Sequence, residues 1–332
     1  MPTIDTEAVS ARYRQAAIDL SSQRLLITNF VGTRQEADLT EAPNCNGFGR
    51  IRHFHRAANK TWPSNPLPID PACKALGLPD TDMLRAQVFQ NAVCNWRCWY
   101  CFVPFNLLAA NSNHAAWLSA DDLVQLYLDQ PHPPPMIDLS GGQPDLTPEW
   151  VPWMMRALEK YDLADKIFLW SDDNLSNDYF WRYLSPKEQA RIAAIPLYGR
   201  VCCFKGYNES SFQFNTLADP ALFEQQFALM KHLHKLGINL YAYTTFTAPD
   251  TSSIRQDMGR FVDRLQDIHP NLPLRTVPLE VQVFTPVTSR MRPEHQEALL
   301  HQQIAIEAWM DELERRFSPE ERAQKITNVT LS

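Results

Sequence analysis

Three cysteines, Cys94, Cys98 and Cys101, fall within the run Cys94-Asn95-Trp96-Arg97-Cys98-Trp99-Tyr100-Cys101. Thiolates at such spacing hold iron–sulfur clusters, usually one per iron, so three without an evident fourth imply a four-iron cluster with one iron left open to a ligand. An open iron does chemistry, whereas a closed one stores electrons or braces a fold. Zinc also accepts closely spaced cysteines, but its sites usually pair two Cys-x2-Cys knuckles or add histidines, and this triplet stands alone.

A second segment, Leu139-Ser140-Gly141-Gly142-Gln143-Pro144, follows a short apolar run. Adjacent glycines let a backbone approach a ligand closely, although an ordinary turn from strand to helix reads the same way. Further candidates lie where later strands should end: Ser171-Asp172-Asp173-Asn174, then Lys205 with Asn208, then Thr244 and Thr245. Each has a plain alternative as a helix cap, a solvated lysine or a β-former.

Cys202 and Cys203 are adjacent, so on a strand they point to opposite faces and do not chelate one ion. Cys45, His53, His55 and Cys73 offer a weaker second metal reading, because His53 and His55 share one strand face. Trp96, Trp99, Tyr100, Phe102 and Phe105 crowd the cysteine run and could shield a cluster from solvent as well as fill core.

These residues need a scaffold that presents strand ends together. From about residue 87 onward, short β-rich runs alternate with amphipathic stretches, the signature of βα units around a parallel sheet. Strands are expected at 87–93, 136–139, 166–170, 200–205, 238–246 and 279–284. Helices are expected at about 119–130, from 147, at 178–194, at 220–236 ended by Gly237, at 253–268 and at 293–317. Six units are too few for a closed eight-stranded barrel, so the fold class is α/β, a partial (β/α)6 barrel with ligands at the C-terminal strand ends.

Residues 1–86 break the alternation and read as an N-terminal extension: a helix at 6–22, a strand near 25–30, then proline-rich irregular sequence. The core is expected at 87–292 and a C-terminal helix and tail at 293–332.

The chain has 332 residues, 45% of them apolar, with 25 prolines against 10 glycines, which suits a large folded unit with stiff loops. A net charge of −7 argues against unspecific binding to nucleic acid or anionic membrane. The opening Met1-Pro2-Thr3-Ile4-Asp5 lacks a signal-peptide pattern, no run is long enough to span a membrane, and a cytoplasmic location is expected. Seven unevenly placed cysteines do not make a disulfide framework. Glycosylation patterns at Asn59-Lys60-Thr61, Asn208-Glu209-Ser210 and Asn328-Val329-Thr330 carry no weight without secretion.

The cysteine spacing, with Tyr100 just before the last cysteine, resembles the motif of the radical S-adenosylmethionine (radical SAM) superfamily over about residues 87–290. The resemblance implies that Cys94, Cys98 and Cys101 bind a [4Fe-4S] cluster whose open iron is chelated by S-adenosyl-L-methionine. Reduction by an external one-electron donor such as flavodoxin or ferredoxin would then yield a 5′-deoxyadenosyl radical that takes hydrogen from an unidentified substrate: a small molecule, a peptide or a glycyl radical enzyme partner.

The Ser140-Gly141-Gly142-Gln143 segment matches the place where the family commonly has Gly-Gly-Glu-Pro for the cofactor's amino group, with Gln143 replacing glutamate. On that reading Gln143→Glu is expected to tighten cofactor binding. Tyr100, Asp172, Asn174 and Lys205 are the other cofactor-binding candidates. The competing readings are a non-catalytic iron–sulfur or zinc-binding regulatory protein and a degenerate relative serving as a scaffold.

Overall fold

The alternation of strands and helices is present, and the parallel strands are buried on both faces, as crossover helices require. In the computed structural model, which describes residues 3–56 and 62–331, the strands are β1 (Ile18–Asp19), β2 (Arg24–Thr28), β3 (Gly49–His55), β4 (Met83–Phe89), β5 (Ala115–Ser119), β6 (Met136–Leu139), β7 (Phe168–Asp173), β8 (Tyr198–Phe204), β9 (Leu240–Thr245) and β10 (Thr276–Leu279). The Asn59-Lys60-Thr61 pattern lies outside the described residues.

Strands β4, β6, β7, β8, β9 and β10 pair in parallel in that order to make the partial (β/α)6 barrel, and β3 adds antiparallel at the β4 edge. A small antiparallel sheet, β1-β2-β5, sits apart from it. No helix among the described residues is long and apolar enough to cross a membrane.

Local sequence sets the crossover helices. Ser119 and Asp122 form a reciprocal capping box at the start of Ala120–Leu128, and Ser185 with Glu188 does the same for Pro186–Ala194. Gly237, at φ 76°, stops the helix Leu222–Lys235.

Strand alternation then sorts side chains between two cores. Ile137, Leu139, Leu169, Cys202 and Phe204 face the helices, where Trp150, Met154, Met230 and Trp309 pack on them. Met136, Phe168, Trp170, Val201 and Tyr241 face inward, and Leu67, Ile69 and Ala72 close that interior from below. Burying each large apolar side chain contributes about 1.5–3 kcal/mol. Farther along the same inward rows the residues turn polar: Asp138 follows Met136 on β6, Asp172 follows Trp170 on β7, and Cys203 follows Val201 on β8. The interior is therefore sealed at one end and chemically equipped at the other.

Several boundaries differ from the sequence expectation. The first barrel strand ends at Phe89, and the chain from Gln90 turns to the small sheet, with the Thr28 N–H donating to the Gln90 carbonyl (2.9 Å) and the Ala92 N–H to that of Leu26 (3.0 Å). Buried Gln90 donates to Thr28 Oγ1 (3.3 Å) in the small sheet and accepts from Gln35 (3.1 Å), while buried Asn91 donates to the Gln143 carbonyl (3.3 Å) and Thr147 Oγ1 (3.1 Å). The stretch expected to be irregular contains β3 and a helix, Ile69–Leu76.

The first helix stops at Ala17. The sixth barrel strand is Thr276–Leu279 rather than 279–284, because Val281 exchanges hydrogen bonds with the buried Gln302 side chain (3.0 and 3.1 Å) instead of a strand. Ser185-Pro186 divides the 178–194 helix in two, and the helix Glu209–Thr216 was not anticipated.

Candidate functional site

The cysteine loop leaves the top of β4 and is fastened by the N-terminal helix Thr6–Ala17. Thr6, Ser10 and Tyr13 lie on one helical face, at i, i+4 and i+7, and meet three consecutive loop residues. Trp96 Nε1 donates to Thr6 Oγ1 (3.1 Å), Asn95 Nδ2 to Ser10 Oγ (2.8 Å) and Arg97 Nη2 to the Tyr13 hydroxyl (2.6 Å). The same arginine donates to the Cys94 carbonyl (2.6 Å). The extension thus clamps the residues between the first two cysteines.

On the far side, the Cys101 N–H donates to the Cys98 carbonyl (3.0 Å), and Trp99 stacks on His295 at 4.5 Å. The three sulfurs lie within electrostatic reach of one another, yet among the described residues no three His, Cys, Asp or Glu side chains close around a point the size of one metal ion. Burial pushes the Cys94 thiol up and that of Cys98 up to about 12, so metal binding must displace their protons.

Polar groups from the strand ends surround these sulfurs. Asn174, just past β7, points Nδ2 at Cys94 Sγ (3.9 Å) and also donates to Asn95 Oδ1 (3.2 Å). Burial works against the charge on Lys205, but Cys203, Tyr100, Cys98 and Cys94 around it outweigh that and raise its pKa. The ammonium is favoured as those sulfurs acquire charge. The Tyr100 hydroxyl shares a hydrogen bond with Thr245 Oγ1 (3.1 Å), and burial raises its pKa far above the usual phenol.

The Gly-Gly turn presses against the base of the loop. Gly141 and Gly142 have φ of 87° and 69°, and a Cβ on Gly142 would lie 2.4 Å from the Asn91 carbonyl oxygen and 2.5 Å from that of Val93. Only glycine fits there. Ser140 Oγ donates to Asp172 Oδ2 (2.6 Å), while burial, opposed by that bond and by Arg52, raises the Asp172 pKa.

Gln143 is fully committed. Its Nε2 donates to Asp173 Oδ1 (2.8 Å), its Oε1 accepts from the Asn174 N–H (2.9 Å), and it is 1% exposed. Asp173 in turn shares the buried Arg200 guanidinium with Asp145. A carboxylate at position 143 would face Asp173 without a proton to give, so the contacts of the amide argue against the expectation that Gln143→Glu tightens binding.

Other candidates separate from the site. Asn208 caps the helix Glu209–Thr216 and donates to Asp257 (2.5 Å). Thr244 lies on the opposite strand face from Thr245. Cys45 and Cys202 are buried in the helix-side core and Cys73 in the inner one, while His53 pairs with Glu41 (2.8 Å), so these residues do not assemble a second metal centre.

Sequence reasoning missed the inward residues Arg50, Arg52 and Asp138, and Arg290, which stacks over Phe105 (4.1 Å). Alternating arginines in Arg50-Ile51-Arg52 and a lone acid in the apolar run Met136-Ile137-Asp138-Leu139 were the available signals. Both charges on β3 were hidden by reading residues 31–86 as irregular.

No family model matches the sequence, and no curated protein matches it. Solved structures similar in part include Streptococcus suis SuiB bound to precursor peptide SuiA, at 14% identity and TM-score 0.38, covering 55% of this chain and 36% of that one. SuiB bound to S-adenosylmethionine matches at 14% identity and TM-score 0.37, covering 53% and 36%. The match therefore spans about a third of those chains.

Proposed function

We propose that this chain is a radical S-adenosylmethionine enzyme. The observation that carries the reading is the meeting, at the polar mouth of a six-stranded parallel half-barrel, of a loop with three free thiols and a Gly141-Gly142 turn pressed against that loop's base. Cys94, Cys98 and Cys101 would hold a [4Fe-4S] cluster, and S-adenosyl-L-methionine would complete it. When bound and reduced by a donor such as flavodoxin or ferredoxin, the pair supplies a 5′-deoxyadenosyl radical for hydrogen abstraction.

The chain's own residues have distinct tasks in this reading. Lys205 offsets the charge of the thiolates, and Asn174 donates to Cys94. The backbone of Ser140, Gly141 and Gly142 offers close polar contact to the cofactor, with Gln143 holding that turn in place and Asp172 beside it. Tyr100 and the aromatic residues about the loop limit water at a reactive centre.

The test is anaerobic reconstitution followed by dithionite and S-adenosylmethionine. Release of 5′-deoxyadenosine by the native chain, and none by Cys98→Ala, is the expected result. A full cluster that releases none overturns the assignment in favour of a non-catalytic iron–sulfur protein.

A further inference from the structure

The barrel interior below the cysteine loop holds ionisable side chains that the cofactor reading leaves unused. Arg50 on β3 and Asp138 on β6 both pair in register with Val88 of β4, so the three stand in one row on the same face of the sheet. Two strand spacings, roughly 10 Å, separate the outer pair. Arg50 is 5% exposed and Asp138 1%. Arg50 Nε and Nη2 have no hydrogen-bond partner, and neither do both carboxylate oxygens of Asp138.

Buried charges are ordinarily paired and hydrogen-bonded, because leaving them bare costs several kcal/mol. Here the missing partners are of a definite kind. Nε and Nη2 form one edge of the guanidinium, the pair of parallel donors that grips a carboxylate or phosphate with two bonds. Burial and the neighbouring Asp172 push the Asp138 carboxyl well above the ordinary range, so it can exchange hydrogen bonds with a hydroxyl, or lose its proton to take an ammonium. The arginine reaches toward the cysteine loop, its guanidinium 5.3 Å from the ring of Phe102, the residue after Cys101. A molecule bridging the two would therefore lie beneath the loop.

We propose that this row is the substrate-binding site and that it takes a small molecule with a carboxylate held by Arg50 and an amino or hydroxyl group held by Asp138, the pattern of an α-amino or α-hydroxy acid. The proposal depends on the radical-enzyme reading for the reaction but not for the binding. Trp170 pairs in register with Asp138 and continues the row as an apolar wall, while Met136 and Phe168 lie one inward step beneath it and Arg52 one step beneath Arg50.

The test is the thermal midpoint of anaerobically reconstituted protein with individual free α-amino acids, α-hydroxy acids and inorganic phosphate, each with and without saturating S-adenosylmethionine. At least one organic acid should raise the midpoint, the rise should persist with the cofactor, and affinity should fall about tenfold or more in Arg50→Gln and in Asp138→Asn. Should Arg50→Gln fail to fold, Arg50→Lys keeps the charge without the two-donor edge and should weaken binding likewise.

No stabilisation by any organic acid, stabilisation by phosphate alone, or a rise that the cofactor abolishes overturns the proposal. Failure to release 5′-deoxyadenosine would instead strike the reaction and leave this binding result standing.

Discussion

Gln143 Nε2 donates to Asp173 Oδ1 at 2.8 Å, and this single bond ties the Gly-Gly turn to the buried arginine network of β7 and β8. Gln143→Glu removes the donor and sets two carboxylates together out of water. A loss of about 2–3 kcal/mol in urea unfolding is expected, with weaker rather than tighter cofactor binding. Unchanged stability would show that Asp173 does not need the amide.

Gly142→Ala should cost about 3 kcal/mol, because its Cβ meets two carbonyl oxygens and its φ is 69°. Gly77→Ala is the control, with a similar φ of 65° but nothing within 4 Å, and should cost about 1 kcal/mol. Equal losses would mean that left-handed backbone, not close approach, requires glycine at 142.

The clamp from the N-terminal helix predicts a defect in cluster loading. Thr6→Val, Ser10→Ala and Tyr13→Phe together remove the partners of Trp96, Asn95 and Arg97. At about 1 kcal/mol for each bond, the loop loses definition, and iron per chain after reconstitution should fall. Native iron content in the triple variant would place the clamp outside cluster assembly.

Much of this was legible beforehand and some was not. The barrel class followed from alternating runs, and β6 lay where its apolar residues said, because a short buried strand bounded by Pro135 and Gly141 has little freedom to slide. The strand β3 escaped notice because its Arg50, Arg52 and His53 break the apolar pattern that reveals strands. Those same charges make its inner face useful. Likewise Gln143 could be placed in the turn, but its partners Asp173 and Asn174 are about thirty residues distant in sequence and became neighbours only through the pairing of β6 with β7.

Asn174→Leu deletes the amide directed at Cys94 Sγ. Hydrogen bonds to cluster sulfurs stabilise the reduced, more negative state, so redox titration should show a potential shifted negative. A potential equal to that of the native protein would mean that the 3.9 Å contact does not act on the sulfur.

The central claim is that the three thiols leave one iron open to S-adenosylmethionine. Electron paramagnetic resonance of the dithionite-reduced, anaerobically reconstituted protein, recorded with and without that molecule, tests it most directly. The account predicts a [4Fe-4S] signal whose g-values change when S-adenosylmethionine is added. A signal indifferent to S-adenosylmethionine, or protein that carries zinc at Cys94, Cys98 and Cys101, would contradict it.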